Sequence, residues 1–415
     1  MQKRIVMSQF KMQPVRGTRD ISGLECEKFN AIITLARNLT MSYNFQEIML
    51  PIFEFSEIFH RTLGQTSDVV SKETYTFLDR EETSLTLRPE FTAGVVRSVI
   101  HSGMMQSLPV RYFSHGPVFR HERPQKARYR QFHQLNFESI GNDEVTNDIE
   151  LLMLAEDLLS ALGLRGNLTL EISSLGDAGS RQAYASALVE YLKHYEADLS
   201  ADSKVRLHKN PIRILDSKDP GDRKILEDAP SIYSTFTPDA RKRFEELQNG
   251  LNAMNIKYHV NPKLVRGLDY YTHTVFEYTT TQLGSQATVL AGGRYDGLFA
   301  LMGGASIPAI GFAAGIERLA ELAQIQLEAR PQLVVLLPIG DNAVHYVPLI
   351  AHELRTLGYR VDYIQHHKLS KQMQKANKMQ ADFVLVFGDA ELENRQFKMK
   401  NMHTGAEQVL PINLA

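Results

Sequence analysis

Between Ser114 and Gly141 the chain reads SHGPVFRHERPQKARYRQFHQLNFESIG, a strand, a basic loop and a returning strand. Strand side chains alternate with period two, so Arg120 and Glu122 share one face of the first strand, and Gln134, Asn136 and Glu138 share one face of the second. Phe119, His121, Leu135 and Phe137 take the opposite faces. An arginine, two carboxylates and two amides on one sheet face suit a ligand that carries both phosphate and amine. Between the strands, Arg123, Lys126, Arg128 and Arg130 crowd around Pro124. A solvated hairpin tip is charged too, so the loop alone leaves turn and anion contact open.

Other stretches could complete such a site. Ser84 to Arg88 alternates as a strand, ends in Pro89-Glu90, and Thr92 opens a helix through about Gly103. The octapeptide Leu264-Val265-Arg266-Gly267-Leu268-Asp269-Tyr270-Tyr271 feeds a strand, Thr272 to Tyr278; paired tyrosines there suit a core as well as a pocket. Ala291-Gly292-Gly293-Arg294-Tyr295-Asp296-Gly297 is glycine-rich, which a plain turn also explains. Pro308 to Ala313 reads as a strand running into a helix from about Gly315. The small residues at 311, 313 and 315 leave room for a planar base against the backbone, or for close strand–helix packing. Arg318, in the first helical turn, can hold a fixed guanidinium toward phosphate.

The elements that must position these residues fit a chain of 415 residues, long enough for two or three domains. Apolar residues make up 43% and charged residues 23%, with a net charge of -2, so nucleic-acid contact must come from local patches. The single cysteine, Cys26, excludes an intrachain disulfide and fits a reducing compartment. No apolar run reaches the length of a membrane span; Leu333 to Leu337 stops at Pro338. Lys3, Arg4, Lys11, Arg16 and Arg19 read as a basic, uncleaved N-terminus. Cys26 to Met41 has helical apolar spacing through Phe29, Ile32, Ile33, Ala36 and Leu39, and a strand from Phe45 to Leu50 meets Pro51. Asp148 to Leu162 is a one-sided helix. Residues 171–259 carry no catalytic signature and read as a helical insertion, with helices at Ala183–Tyr195 and Ala240–Ala253. That insertion is either a clamp on a nucleic-acid end or a solvated appendage.

After a linker at Ala329-Arg330-Pro331, strands and helices alternate through Leu333–Leu337, Ala343–Leu357, Arg360–Tyr363, Ser370–Gln380 and Phe383–Phe387, an α/β unit with a mostly parallel sheet. Lys368, Lys371, Lys375 and Lys378 fall on one helical face, with Leu369, Met373 and Ala376 opposite. The stripe is a solvated face or a row of phosphate contacts. Several chemistries lack their residues. Lys368-Leu369-Ser370-Lys371 has the look of a class I synthetase loop, but the His-x-Gly-His it requires is missing, since His101-Ser102-Gly103-Met104 lacks the last histidine. No P-loop or GxGxxG occurs, and neither HExxH nor paired CxxC offers zinc its ligands.

Phe119-Arg120-His121-Glu122 resembles the second signature motif of class II aminoacyl-tRNA synthetases, and the loop and return strand resemble those of the histidyl-tRNA synthetase family. The opening Arg16-Gly17-Thr18-Arg19-Asp20, the helix–strand–proline start, the LRPE segment, LVRGLDYY, AGGRYDG and GFAAGIER resemble further segments of that family in the same order; Phe91 stands where the family leads one to expect glycine. The resemblance implies an α+β fold: an antiparallel class II sheet flanked by helices in 1–170 and 260–328, a helical insertion at 171–259, and an α/β anticodon-binding domain at 331–415. It implies a cytoplasmic homodimer, with its two-fold contact at the helix from Cys26 and the strand into Pro51, that activates histidine with ATP and Mg2+ and transfers it to tRNA. Among its residues, Arg266, Arg120 and Gln134 would be catalytic, with Arg120 and Arg266 on the α-phosphate and reacting carboxylate. Arg128 and Arg318 would hold the outer phosphates and Glu122 the adenine amine. Glu90, Thr92 and Gln134 would take the α-ammonium of histidine. Glu138 and Tyr271 would hold its imidazole, beside Tyr270 and under Tyr295. Gln125, Arg130, Lys371 and Lys375 would meet tRNA. The rival readings are a regulatory paralogue that binds histidine without acylating, and a pseudo-enzyme scaffold that senses tRNA. Intact Arg266 and Gln134, and the lack of any extra flanking domain, weigh against both.

Overall fold

The computed structural model describes residues 12–62, 73–123, 127–266, 270–284, 288–327, 329–366 and 368–411. The chain divides into two compact units, Met1–Leu327 and Glu328–Ala415. The first is built on an eight-stranded sheet. Its strands lie in the order Gln46–Glu47, Val110–Phe119, Gln131–Ile140, Ala309–Gly315, Thr288–Arg294, Thr272–Thr279, Thr169–Ser174, His259–Val260. All neighbours are antiparallel except the two-residue strands at either edge.

The alternation seen in the sequence sets which face is buried. Phe113, Leu135, Phe137, Phe276, Leu290 and Phe312 point to one side, where they pack on the helices Gly23–Ser42, Val145–Ala161, Pro238–Ala253 and Ile316–Leu322. Phe137 stacks on Phe312 with ring centroids 4.6 Å apart. Each such ring contributes roughly 1.5–3 kcal/mol by leaving water. A one-residue slip of the Gln131–Ile140 strand would put Glu138 in this layer and Phe137 in the site, so burial fixes the register. The opposite face carries Gln134, Asn136 and Glu138.

Several elements differ from their expected form. The helix Gly23–Ser42 buries Phe29, Ile32 and Ala36 as its stripe requires, but of the strand expected at Phe45–Leu50 only Gln46–Glu47 pairs in the sheet. The segment 171–259 begins and ends on sheet strands, and its last helix, Pro238–Ala253, buries Phe244, Leu247 and Leu251 in the main core. Its own helical part is Ala178–Lys193, Ala201–Lys209 and the short turns up to Thr235. Arg294, in the glycine-rich segment, is fully buried. It pairs with the equally buried Asp148 and with Asp296, and donates to the Asn142 carbonyl. It fastens its strand to the helix Val145–Ala161 rather than facing a ligand. Breaking one side of such a buried pair costs about 3–5 kcal/mol.

The second unit is a five-stranded sheet ordered Arg360–Tyr363, Leu333–Pro338, Phe383–Phe387, Gln396–Asn401, Glu407–Pro411. The first three are parallel, as expected, and the last two add antiparallel at one edge. The helix Leu369–Lys378 buries Gln372 and Ala376, and Lys368, Lys371, Lys375 and Lys378 are all exposed. Leu369 is exposed rather than on the inner face, because the buried Gln372 takes the inward position and donates to the carbonyls of Pro338 and His366. Among the described residues no helix is long and apolar enough to cross a membrane.

Candidate active site

On the polar face of the larger sheet lies a cavity of about 240 Å³. Its floor is laid out by strand register. Gln134 lies opposite Gly315, Asn136 opposite Ala313 and Glu138 opposite Gly311; Ala291 and Gly293 continue the rows. Gln134 to Glu138 spans about 13 Å at a strand rise near 3.3 Å per residue. The small side chains on the central strands keep this floor open between taller walls.

One wall is cationic. Arg120, Arg128, Arg266 and Arg318 all line the cavity. The expected strand face for Arg120 and Glu122 does not form. The strand stops at Phe119 because the His121 N–H leaves the hairpin to donate to the Glu73 carbonyl at 2.7 Å. Arg120 instead donates from Nε to the Pro89 carbonyl at 2.9 Å and lies over the Phe132 ring. Glu122 and Arg128 pair with each other. Arg266 donates to Glu277 at 2.8 Å, the Thr288 hydroxyl donates to the same carboxylate oxygen at 3.0 Å, and Arg318 donates to the Thr288 carbonyl. Burial first, then the neighbouring charges of Arg128 and Arg120, lower the Arg318 guanidinium to about 10. Burial likewise lowers Arg120 and Arg128. Arginine stays charged regardless, so the wall holds crowded, partly desolvated positive charge that a polyanion would relieve.

The other wall is acidic and aromatic. Glu90 is buried and accepts from the backbone N–H groups of Thr92 and Ala93 at 2.5 and 2.9 Å, capping the helix Thr92–His101. Phe91 takes φ -100°, open to any residue, and its ring lies under the Arg88 guanidinium, so nothing in the backbone here requires glycine. Gln134 is 9% exposed and its Oε1 has no hydrogen-bond partner among the described residues. Tyr270, Tyr271 and Tyr295 are buried and in ring contact, and burial pushes their hydroxyls up, keeping them neutral donors.

Glu138 does not itself line the cavity. It lies beneath it, accepting from Thr92 Oγ1 at 2.5 Å, Asn136 Nδ2 at 2.9 Å and Tyr295 OH at 2.5 Å. A carboxylate has about four acceptor positions, so one remains on Oε2. That oxygen lies against Gly311, filling the space a Cβ there would take, 1.6 Å away. The space above residue 311 therefore belongs to Glu138; only 313 and 315 leave room for a flat ligand.

Of the residues expected to meet a nucleic acid, Gln125 lies outside the described residues. Arg130 donates to the Glu122 carbonyl at 3.3 Å, behind the cationic wall, and Lys371 and Lys375 belong to the second unit. Sequence reasoning missed Glu277, Thr288 and Glu317, whose carboxylate accepts from the His133 backbone and ring. A lone glutamate within the apolar run TVFEYT was the available signal for Glu277.

A family model described as histidyl-tRNA synthetase matches residues 17–319, and one described as an anticodon binding domain matches 333–414. A histidine–tRNA ligase of Wolbachia pipientis subsp. Culex pipiens is 48% identical over 96% of this chain and 97% of its own. The crystal structure of apo S. aureus histidyl-tRNA synthetase superposes with a TM-score of 0.80 at 34% identity, covering 97% of both chains. A Bacillus halodurans structure titled as an ATP phosphoribosyltransferase regulatory subunit/histidyl-tRNA synthetase shares the fold, with a TM-score of 0.66 at 22% identity over 92% of this chain and 99% of that one. With two thirds of its length matched by one family model and nearly all of it by relatives of that name, the chain belongs to the histidyl-tRNA synthetase family.

Proposed function

We infer that this chain is a histidine–tRNA ligase. One observation carries the reading: a single cavity joins a wall of four arginines to a wall of the buried Glu90 carboxylate, amides and tyrosine hydroxyls. The carboxylate of histidine attacks the α-phosphorus of ATP; a new P–O bond forms, and the bond to the β-phosphate oxygen breaks with its electron pair, releasing pyrophosphate. A hydroxyl at the tRNA 3′ end then attacks the activated carbonyl and AMP leaves. Negative charge grows on the α-phosphate oxygens in the first step, where prearranged cations lower the barrier. Arg120 and Arg266 take that position, and Arg128 and Arg318 the outer phosphates. Glu122, held by Arg128, receives the adenine amine. Glu90, Thr92 and the unpartnered oxygen of Gln134 receive the α-ammonium. Glu138, lying against Gly311, and Tyr271 read the imidazole between Tyr270 and Tyr295. Magnesium is expected from phosphoryl chemistry and would come with the phosphates of ATP as part of the substrate. The chain should support histidine-dependent exchange of pyrophosphate into ATP, with no other standard amino acid replacing histidine. Histidine binding without exchange would favour a non-acylating regulatory paralogue.

The three-stranded sheet Phe53–Phe55, Ser84–Leu87, Tyr75–Leu78 aligns Phe53, Phe55 and Phe77 with Leu85 and Leu87 on one face, and all three phenylalanines are exposed. Met49 and Ile52, in the segment leading into it, are exposed as well. Such a contiguous apolar face suits a two-fold dimer, and we place the homodimer contact here. Sedimentation at micromolar concentration should give a two-chain species that Phe55→Glu dissociates; one chain throughout would count against it. The exposed Lys371 and Lys375 are placed on tRNA phosphates, with Gln125 and Arg130 on the acceptor side. Replacing both lysines by alanine should lower the slope of log affinity for tRNA against log salt by about 1–2. An unchanged slope would make the stripe a solvated face. The cytoplasm, where tRNA and ATP meet, is the compartment this reading assigns; recovery in a membrane fraction would contradict it.

A further inference from the structure

Arg213 belongs to the helical part of the chain between Ala178 and Thr235, to which no chemistry is attached. It sits in the short helix Pro211–Asp216 and is 4% exposed. Its guanidinium donates from Nη1 to the backbone carbonyl of Arg266 at 2.7 Å. The same Nη1 lies 3.8 Å from Asp216 on its own turn, but its short bond goes to the main chain of the residue that carries a site guanidinium, and a buried charge is held in place only where such partners are met. The Arg266 side chain is held at its far end by Glu277. Its backbone is therefore fixed from one side by the helical segment and its tip from the other by the sheet.

The support behind Arg213 is stiff. Asp222, fully buried, accepts from Ser200 N, Ser200 Oγ, Ser203 Oγ and Ser217 Oγ at 2.8, 2.7, 2.6 and 2.5 Å, binding the turns on both sides of Pro211–Asp216 together. Ile214 packs in the same apolar cluster as Leu264, Tyr270, Tyr271 and Tyr295, and Ile212, Leu215 and Val265 pack against it. Lys263 adds a second link, donating to the Glu227 carbonyl at 3.3 Å.

We propose that Arg213 is a positioning residue for adenylate formation, through which the helical segment 178–235 sets the backbone of Arg266. The proposal rests on the reading of Arg266 as the arginine that meets the α-phosphate. A small displacement of a reacting group costs up to about a hundredfold in rate. The backbone carbonyl persists whatever side chain stands at 266, so the two residues can be separated by a double-mutant cycle.

The test measures kcat and KM for histidine-dependent pyrophosphate exchange in the full chain carrying Arg213→Met, which keeps length and apolar packing but no donor. A kcat lower by about ten- to a hundredfold, with both KM values within about twofold, is expected. Arg213→Lys, retaining charge and one donor, should recover part of the loss. In an Arg266→Ala background Arg213→Met should have no further effect on kcat. Arg213→Gln, whose amide is too short to reach the carbonyl, carries the same expectation if the methionine variant does not fold. An unchanged kcat, a change confined to KM, or an equal loss in the Arg266→Ala background would overturn the proposal. If Arg266→Ala itself leaves exchange intact, the reading of Arg266 falls, and this proposal with it. If wild type exchanges normally and depends on Arg266 but not on Arg213, this proposal alone falls.

Discussion

Arg266→His lowers the rate of histidine-dependent pyrophosphate exchange by about 10²–10³-fold, while histidine binding stays within a few-fold; this is the expected result of removing one charged donor aimed at developing charge. The geometry supports so large an effect. Arg266 is about one-fifth exposed, its guanidinium is aligned by Glu277, and it shares the cavity with Arg120. Attack on the α-phosphorus concentrates negative charge that the ground state spreads over the whole polyphosphate, so the arginine stabilises the transition state more than either substrate. Histidine at this position is shorter and mostly neutral near pH 7. Exchange kinetics set beside calorimetric binding of histidine decide the matter. A loss confined to histidine affinity would make Arg266 a binding residue, and no change in either would leave it a fold residue.

The sequence was legible where short-range periodicity carried the information. Gln134, Asn136 and Glu138 could be assigned to one face, and Phe137 to the other, from alternation alone, because the strand is continuous from Gln131 to Ile140. The stripe Phe29, Ile32, Ala36 was legible for the same reason. The strand expected to carry Arg120 and Glu122 ends before them, where the His121 N–H bonds to Glu73 far back in the chain, although both residues still line the one cavity. Glu138 was read on the ligand-facing side with Gln134 and Asn136; its place beneath the floor depends on donors that include two from other elements, Thr92 and Tyr295, beside Asn136 of its own strand. Glu277 and Arg213 owe their importance to Arg266; the lone glutamate in TVFEYT marks Glu277 as unusual, but no local pattern announces the partner of either across the fold. Leu369 was assigned to an inner face from hydropathy, whereas a buried glutamine took the inward position by satisfying two carbonyls.

Glu138 supplies the second large effect, and it is one that pH should expose. Burial pushes its carboxyl up to about 7, against the opposing pull of hydrogen bonds from Thr92, Tyr295 and Asn136, and Glu90 nearby adds a small push in the same direction. The folded chain therefore holds a proton that the unfolded chain releases near 4.5. The stability this group contributes is fully present below that value and is lost as pH rises through about 7. Glu90, also raised by burial, acts in the same sense, so the contribution of Glu138 must be read as a difference. Melting temperatures of wild type and Glu138→Gln, compared between pH 5 and 8, should separate progressively, with wild type losing ground toward the alkaline side. Histidine use runs the other way. A neutral imidazole donates one N–H, and the free acceptor position on Oε2 receives it best when the carboxylate is ionised, so kcat/KM for histidine should climb through neutral pH. Glu138→Gln should lower it about ten- to a hundredfold, the worth of a charge-assisted hydrogen bond of roughly 1.5–3 kcal/mol. The KM for ATP should move little, since the arginines lie along the other wall. Gly311→Ala provides a geometric companion: a methyl 1.6 Å from Oε2 and 2.7 Å from the Phe137 carbonyl cannot coexist with Glu138 in its place, so the variant displaces the carboxylate without removing its charge. If that variant keeps normal histidine kinetics, or if Glu138→Gln weakens ATP instead of histidine, the imidazole does not reach Glu138 and the amino-acid end of the cavity must be sought elsewhere.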